Sequence, residues 1–247
     1  DKNRGKTHAR VTGIFRWSQK KYTEAGKVQM PALLGTVTRH SLPYAREIVD
    51  EYLKYNSSSI FVRPLTSLGI AKENWDQIGI TAEEFLAFYE ELLDYILELT
   101  RNGVHLTETY AVYILSKIIA GHEPGYVDLK SPCGAAIGQL AYNYNGDIYT
   151  CDEARMLSHR GDDTFRIGRA GESTYADLIM HRATKSVCMS SVLDTTPGCS
   201  MCAYKPYCGV CPVQNYFETG ELAPNVYKTR RHVINEGVMD ILFRRLQ

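Results

Sequence analysis

Short apolar runs alternate with longer amphipathic segments along the first half of the chain. Apolar runs of four to eight residues are typical of strands, whereas apolar residues that recur every three or four positions are typical of helices. On this basis we predict strands at residues 31–38, 59–62 and 104–106. We predict helices at about residues 43–55, 82–100 and 109–120.

The helix predicted at 82–100 has the clearest boundaries. Thr81 and Glu84 form the pattern of a capping box, in which each side chain accepts a hydrogen bond from an otherwise unpaired backbone N–H. Asn102-Gly103 is a typical helix end. The face that we expect to be buried carries Phe85, Phe88, Leu92, Ile96 and Leu99.

The order strand–helix–strand–helix–strand predicts an α/β fold with a parallel sheet, because helical crossovers join parallel strands. Three strands are too few to close a barrel or to form a sheet that is covered on both faces. We therefore expect this half to belong to a larger unit or to dock on the half that follows.

The second half contains the pattern of a β-hairpin. The side chains of residues 139–144 alternate in polarity as in a strand, and Asn145-Gly146 is a pair typical of a type I′ turn. Residues 147–150 then form the returning strand. Cys133 precedes the hairpin and Cys151 ends it. The hairpin is expected to bring these two cysteines to the same end.

Composition excludes several classes of protein. The 247 residues carry 28 basic and 28 acidic side chains, and this balance argues against nucleic-acid binding, which usually needs a basic excess. No apolar stretch approaches the ~20 residues of a membrane span, and the N-terminal residues lack the apolar segment of a signal peptide. We expect a soluble, cytoplasmic protein without nucleic-acid or membrane partners. The seven histidines are scattered and show no ligand spacing.

Seven cysteines carry the strongest chemical signal. All lie between Cys133 and Cys211, and two Cys-x-x-Cys pairs stand close together, Cys199/Cys202 and Cys208/Cys211. Such a cluster without a signal peptide favours metal binding over disulfides. Four thiolates suit one zinc ion or one iron–sulfur cluster, and the spacing alone leaves both open.

The cysteine pattern resembles a known family. Cys133, Gly146-x4-Cys151 and the run from Cys199 to Cys211 together resemble the SPASM domain of radical S-adenosylmethionine (radical SAM) enzymes that modify peptides. Residues 131–138 (SPCGAAIG), 151–157 (CDEARML) and 204–212 (YKPYCGVCP) most resemble the B-type maturase of the His-Xaa-Ser peptide-modification systems.

This resemblance implies the fold and its division. Residues 1–125 resemble the C-terminal half of the radical SAM partial (β/α) barrel, residues 126–225 a cysteine-rich α+β SPASM domain with a β-hairpin, and residues 226–247 a C-terminal helix. Within the first part, Asp1–Arg4 resembles the loop after the third barrel strand. Residues 34–41 resemble the fourth strand and residues 61–65 the fifth.

The resemblance also implies two auxiliary [4Fe–4S] clusters. Carried over by position, the first cluster would be held by Cys133, Cys151 and Cys211. The second would be held by Cys199, Cys202 and Cys208. Either Cys188 supplies its fourth ligand from upstream, or that site is incomplete. Asp152 and Glu153, beside Cys151, are expected to be solvated acids.

Three further residues stand where barrel strands would meet S-adenosylmethionine. They are Thr36, Thr38 and Arg63. A guanidinium suits a carboxylate of the nucleotide, although a structural ion pair explains Arg63 equally well.

Two departures from the family pattern matter. The Cys-x3-Cys-x2-Cys triad and the glycine-rich segment that bind the initiating cluster and S-adenosylmethionine are absent. We therefore expect this chain to be the C-terminal part of a longer enzyme and to be inactive alone. In addition, two residues rather than three separate Cys208 from Cys211, and no cysteine follows.

The resemblance implies a radical SAM enzyme that modifies a precursor peptide or protein, with a second maturase of the same system as a partner. The alternative is a stand-alone, zinc-stabilised peptide-binding module with no redox role. Metal analysis separates the two.

Overall fold

The computed structural model describes residues 4–27 and 32–246. Its helices are α1 (Arg4–Glu24), α2 (Ala45–Lys54), α3 (Trp75–Ile78), α4 (Ala82–Arg101), α5 (Thr109–Ala120), α6 (Asp152–Ser158), α7 (Tyr175–Met180), α8 (Arg182–Ser190), α9 (Pro212–Thr219) and α10 (Arg230–Leu246). Its strands are β1 (Leu34–Val37), β2 (Ser59–Pro64), β3 (Thr107–Glu108), β4 (Ala141–Tyr142), β5 (Asp147–Tyr149) and β6 (Arg166–Arg169). Of the loop expected at Asp1–Arg4, Asp1 to Asn3 lie outside the described residues, and α1 begins at Arg4.

A parallel sheet with the order β1-β2-β3 confirms the predicted α/β fold class. Thr36 of β1 lies opposite Arg63 of β2. The third predicted strand was misplaced. The Val104 N–H donates to the Leu99 carbonyl at 3.0 Å, so residue 104 still belongs to the turn that ends α4. Pairing with β2 starts only at Thr107.

The larger of the apolar cores packs around the parallel sheet, and helix α4 contributes many of its residues. The capping box of α4 forms as predicted: the Glu84 N–H donates to Thr81 Oγ1 at 3.1 Å, and the Thr81 N–H donates to Glu84 Oε2 at 2.7 Å. α4 packs against both α2 and α10. Its buried residues include Phe85, Phe88, Leu92 and Ile96, whereas Leu99 is half-buried. The C-terminal helix therefore completes the core begun by the N-terminal half.

The other predicted helices of this half form with small changes at their ends. Leu42–Tyr44 is a 3₁₀ turn that leads into α2. α5 ends at Gly121, whose φ of 59° lies in the left-handed region that glycine tolerates.

The hairpin belongs to a second, antiparallel sheet with the order β4-β5-β6. Its turn is not the predicted type I′, because Gly146 has a positive φ (89°) and Asn145 does not. The Asn143 N–H donates to the Asp147 carbonyl at 2.8 Å, and the Gly146 N–H donates to the Asn143 carbonyl at 3.0 Å. This is a type I turn followed by a left-handed glycine. The Asn145 side chain accepts from the Asp147 N–H at 3.0 Å, which favours this conformation.

A smaller apolar core lies beneath the hairpin. It contains Leu68, Phe165 and Val187 together with three of the cysteines. α6 and α9 pack against each other at this core. No helix in the described ranges is both long and apolar enough to span a membrane.

Candidate metal centre and adjoining cleft

Three cysteines from distant parts of the chain meet in the smaller core. Cys133, Cys151 and Cys211 are all buried there, at 7%, 3% and 8% exposure. Cys133 comes from the loop before the hairpin, Cys151 follows β5, and Cys211 precedes α9. The structure thus brings together the three residues that the resemblance grouped as ligands of the first cluster.

Two of these cysteines occupy helix N-caps. The Ala154 N–H of α6 points at Cys151 Sγ at 3.5 Å, and the Gln214 N–H of α9 points at Cys211 Sγ at 3.5 Å. Such N–H groups stabilise a thiolate, which is the form that binds metals. Pro212 at the first helical position leaves no extra N–H to satisfy.

Burial, in contrast, disfavours the thiolate form of these cysteines. It raises the pKa of Cys133, Cys151 and Cys211, and for Cys211 to about 12. Buried thiols of this kind remain protonated unless a cation compensates the charge, and a bound metal deprotonates them outright. The donor chemistry of this group fits a thiolate-bound iron–sulfur cluster.

Glu153 approaches the same three sulfurs. It contributes to the raised pKa of Cys133, Cys151 and Cys211, and it interacts directly with the Cys151 thiol. Asp152 instead is exposed and pairs with Arg155 at 2.6 Å. The expectation of a solvated acid therefore suits Asp152, whereas Glu153 is half-buried beside the sulfurs.

The second cysteine group adjoins a separate small apolar cluster. Cys199 packs with Leu193 and Val226, and Cys208 lies at the edge of that small cluster. Burial, and then the neighbouring Cys208 and Cys202, raise the pKa of Cys199 to about 11. Cys202 and Cys208 thus lie within electrostatic reach of Cys199. That these three residues ligate one cluster stays a prediction.

Asn235 of α10 supports the Cys208 position. Its Nδ2 group lies 3.6 Å from Cys208 Sγ and donates to the Gly209 carbonyl at 3.3 Å. Asn235 is buried and also accepts from the Tyr110 hydroxyl at 3.0 Å. No cysteine spacing pointed to this residue, and its only sequence signal is an amide on an otherwise apolar helix face.

Cys188 lies at the end of α8, half-buried. Its carbonyl accepts from the Ser191 hydroxyl at 2.8 Å, and the same hydroxyl accepts from the Cys133 N–H at 2.9 Å. The contacts of Cys188 therefore lead to the first cysteine group. Its expected role as fourth ligand of the second group remains a prediction.

A partly buried charge network connects the cysteine groups to the parallel sheet. Arg231 pairs with Asp128 at 3.3 Å, and Asp128 pairs with Arg63 at 3.2 Å. Despite burial, Arg231 and Arg63 hold the pKa of Asp128 below its usual value. Arg231 also opposes the rise in the pKa of Cys133, Cys208 and Cys211, so its charge acts on both groups. Sequence reasoning missed Arg231 and Asp128 because neither stands in a motif.

A cleft of about 850 Å³ opens between the sheet and α6. Thr36 and Arg63 line it from the strands, and Asp152, Glu153 and Met156 line it from α6. The structure therefore brings two of the three predicted nucleotide contacts to one cavity. Thr38 is not part of this lining; its hydroxyl lies 3.4 Å from Ser41 Oγ.

Within the described ranges, no three His, Cys, Asp or Glu side chains are arranged to hold a single metal ion. The grouping of the cysteines therefore rests on the cores that they share, on their burial and on the N–H groups that point at their sulfurs.

Comparisons with known proteins bear on the fold. No family model matches the sequence, and neither does any curated protein. Solved structures do match. One is anSMEcpe, an anaerobic sulfatase-maturating enzyme of the radical SAM/SPASM type, with bound AdoMet; its TM-score is 0.65 at 15% identity, over 86% of this chain and 55% of that one.

A second structure of anSMEcpe, with AdoMet and the Kp18Cys peptide, matches with a TM-score of 0.64 at 14% identity, over 91% of this chain and 58% of that one. This chain therefore spans just over half the length of the structures that it matches. Identity this low establishes the fold alone. The fold of this chain resembles part of the radical SAM/SPASM-type maturase fold.

Proposed function

We propose that this chain is the auxiliary-cluster part of a radical SAM enzyme that modifies a peptide or protein. The observation that carries the proposal is the separation of the cysteines into two neighbouring groups. Cys133, Cys151 and Cys211 share one core, and Cys199 and Cys208 share another. One zinc-binding loop would need only the four cysteines from Cys199 to Cys211. Here Cys133, from before the hairpin, and Cys151, from just after it, join Cys211 in one core.

The protein residues have separable tasks in this proposal. Iron–sulfur clusters, when bound, would supply electron transfer or a binding position for the substrate. The apolar residues around Cys133, Cys151 and Cys211 exclude water. The Ala154 and Gln214 N–H groups and the Arg231 guanidinium offset thiolate charge.

The cleft is the proposed place for substrate and nucleotide. At about 850 Å³ it is large enough for a drug-sized ligand. The Kp18Cys and Cp18Cys peptides bound in anSMEcpe structures support a peptide as the class of ligand. Thr36, Thr38 and Arg63 are the proposed contacts to S-adenosylmethionine; of these, Thr36 and Arg63 line the cleft. S-adenosylmethionine and its own cluster would be held in the full-length enzyme.

The finer assignment follows from the motifs alone. We propose a His-Xaa-Ser B-type maturase that acts in the cytoplasm on a precursor peptide, with a second maturase as partner. Its parts would be residues 1–125, 126–225 and 226–247 as barrel, SPASM domain and C-terminal helix.

Metal analysis after anaerobic reconstitution tests the proposal. We expect iron and sulfide for two [4Fe–4S] clusters and a brown chromophore. Cys151→Ala and Cys199→Ala should each remove about half of the iron, because each substitution removes a ligand from a different cluster. Cys199→Ala should also lower the melting temperature, since metal-binding energy is partly folding energy.

Met201→Ala is the matched control, because Met201 lies between Cys199 and Cys202 and is 93% exposed. It should leave iron content and melting temperature unchanged. Stoichiometric zinc without a visible band would instead support the zinc-stabilised binding module. Cys188→Ala should lower iron if Cys188 is a ligand, and unchanged iron would make it a structural thiol.

A further inference from the structure

A small cavity adjoins the cleft on the side of the C-terminal helix. Its volume is about 60 Å³, and it shares Arg63, Pro64 and Thr66 with the larger cleft. A buried water needs roughly 10–15 Å³ measured in this way. The cavity therefore has room for a few waters or for one small ligand group.

The charges around this cavity do not balance. Arg63, Arg230 and Arg231 line it together with a single acid, Asp128. Asp128 is already engaged by Arg63 at 3.2 Å, by Arg231 at 3.3 Å and by the Tyr126 hydroxyl at 3.0 Å. Two positive charges are thus left over beside an apolar wall that includes Phe61, Phe85 and Ile234.

Arg230 carries the unmatched donors. Its Nη1 donates to the Leu65 carbonyl at 2.9 Å, and its guanidinium carbon lies 5.4 Å from the Trp75 ring centroid. Its Nε and Nη2 atoms are buried and have no hydrogen-bond partner, and neither has Arg231 Nε. Buried polar groups are normally paired, so an unpaired guanidinium edge is unusual.

The unpaired edge has a specific shape. Nε and Nη2 lie side by side on one edge of the guanidinium, and their two parallel N–H bonds match the two oxygens of a carboxylate. Among the described residues, no carboxylate lies within ion-pair distance of Arg230. Burial accordingly lowers the pKa of Arg230, and the more distant Glu218 and Glu83 only partly oppose this.

We infer that this cavity is a binding site for one carboxylate group, held by the guanidinium of Arg230, whose Nε and Nη2 are the unpaired donors. The group enters from the cleft, past Arg63 and Thr66. Its source is either an acidic side chain or the C-terminus of a bound peptide, or a free small carboxylate. The small volume and the planar donor edge favour a carboxylate over a phosphate.

Trp75 provides a reporter for this site because Arg230 lies over its ring. The reconstituted full chain in a Trp17→Phe background leaves Trp75 as its single tryptophan. Sodium acetate should change the Trp75 fluorescence in a saturable manner and raise the melting temperature. Sodium chloride and sodium phosphate at matched ionic strength should do neither. Equal responses to chloride, or a tighter response to phosphate, would overturn the inference.

Short capped peptides distinguish the sources of the carboxylate. Acetyl-Gly-Asp-Gly-amide is compared with its Asn counterpart, and acetyl-Gly-Ala-Gly is compared with a free and an amidated C-terminus. Tighter binding of the Asp peptide than of acetate assigns the site to a side chain, and tighter binding of the free C-terminus assigns it to a chain end. Tighter binding of acetate than of either peptide leaves a free small carboxylate as the ligand. If none of the carboxylates binds better than its neutral counterpart, the site is not a carboxylate site.

Arg230→Met should weaken carboxylate binding at least tenfold, and Arg230→Lys should weaken it less because one charge remains. Arg10→Gln, an exposed arginine on α1, is the charge-matched control and should bind as the parent does. Unchanged binding in Arg230→Met would sink the inference. If Arg230→Met does not fold, the Asp-against-Asn peptide comparison on the parent chain still decides. The inference is separate from the proposed function, because a chain that binds zinc instead of iron can be titrated in the same way.

Discussion

Gly209 lies directly against the backbone of Asp128. A Cβ atom at position 209 would come within 2.4 Å of the Asp128 carbonyl oxygen. The same carbonyl accepts from Arg231 at 3.2 Å. The loop that carries Cys208 and Cys211 therefore packs directly against Asp128, the residue that links Arg231 to Arg63 of the sheet.

Gly209→Ala should therefore destabilise the chain. The added methyl group meets backbone, which cannot rotate away, and overpacking of this kind costs about 1–3 kcal/mol. We expect a lower melting temperature and a lower iron content after reconstitution, because Cys208 and Cys211 move with the loop. Gly138→Ala is the control, since its nearest neighbour would lie at 3.6 Å, an ordinary contact. Equal stability of the two variants would contradict the close packing of Gly209 against Asp128.

Ser191 offers a second test that leaves every proposed cysteine ligand in place. Its hydroxyl joins the Cys133 N–H to the Cys188 carbonyl and is fully buried. Ser191→Ala should cost about 1–3 kcal/mol, because it leaves a buried N–H without a partner. Urea unfolding measures this loss. Thr195→Ala, which removes an exposed hydroxyl bonded to Val192, should change stability far less.

The sequence predicts local structure well where local signals are complete. Thr81 and Glu84 are enough to place the start of α4, because a capping box satisfies its donors without help from elsewhere. The hairpin turn shows the limit: Asn145-Gly146 predicts a type I′ turn, but the Asn145 side chain bonds to Asp147 and leaves a single left-handed residue.

Long-range features of the candidate site depend on tertiary contacts. The spacing of Cys199, Cys202 and Cys208 holds them in one loop, so their grouping is visible in the sequence. The convergence of Cys133 and Cys211 required the family resemblance. Arg230 and Arg231 carry no sequence signal of their role, because it arises only when α10 packs beside Asp128.

A buried carboxyl group should make stability depend on pH. Burial raises the pKa of Glu108, which accepts from the Tyr89 hydroxyl and the Ala111 N–H, each at 2.6 Å. The folded chain therefore keeps this proton to higher pH than the unfolded chain, whose pKa is about 4.3. The stabilising contribution is complete below that value and is lost as pH rises through the folded-state pKa.

Glu108→Gln should remove this dependence, since an amide does not titrate and keeps a carbonyl for both donors. Urea unfolding of the reconstituted chain from pH 5 to 8 should show the parent losing stability relative to the variant as pH rises. Asp94→Asn is the contrasting control, because Arg245 holds the pKa of Asp94 below its usual value. The difference in unfolding free energy between the parent and Asp94→Asn should stay constant from pH 5 to 8. A flat difference for Glu108→Gln as well would show that Glu108 titrates normally.

The final prediction concerns radical initiation by the 247 residues as given. Cleavage of S-adenosylmethionine by radical SAM enzymes needs an iron with a free position, which a Cys-x3-Cys-x2-Cys triad supplies, and this sequence contains no such triad. Cys133, Cys151 and Cys211 instead lie in a closed apolar core, and Arg63, a proposed nucleotide contact, is already paired with Asp128. We expect the reconstituted, reduced chain to bind iron yet to form no 5′-deoxyadenosine above a no-protein control, as measured by chromatography. Formation of that product would mean that one of the seven cysteines serves an initiating cluster, and Cys188→Ala, Cys202→Ala and Cys208→Ala variants would then identify which half-buried sulfur is responsible.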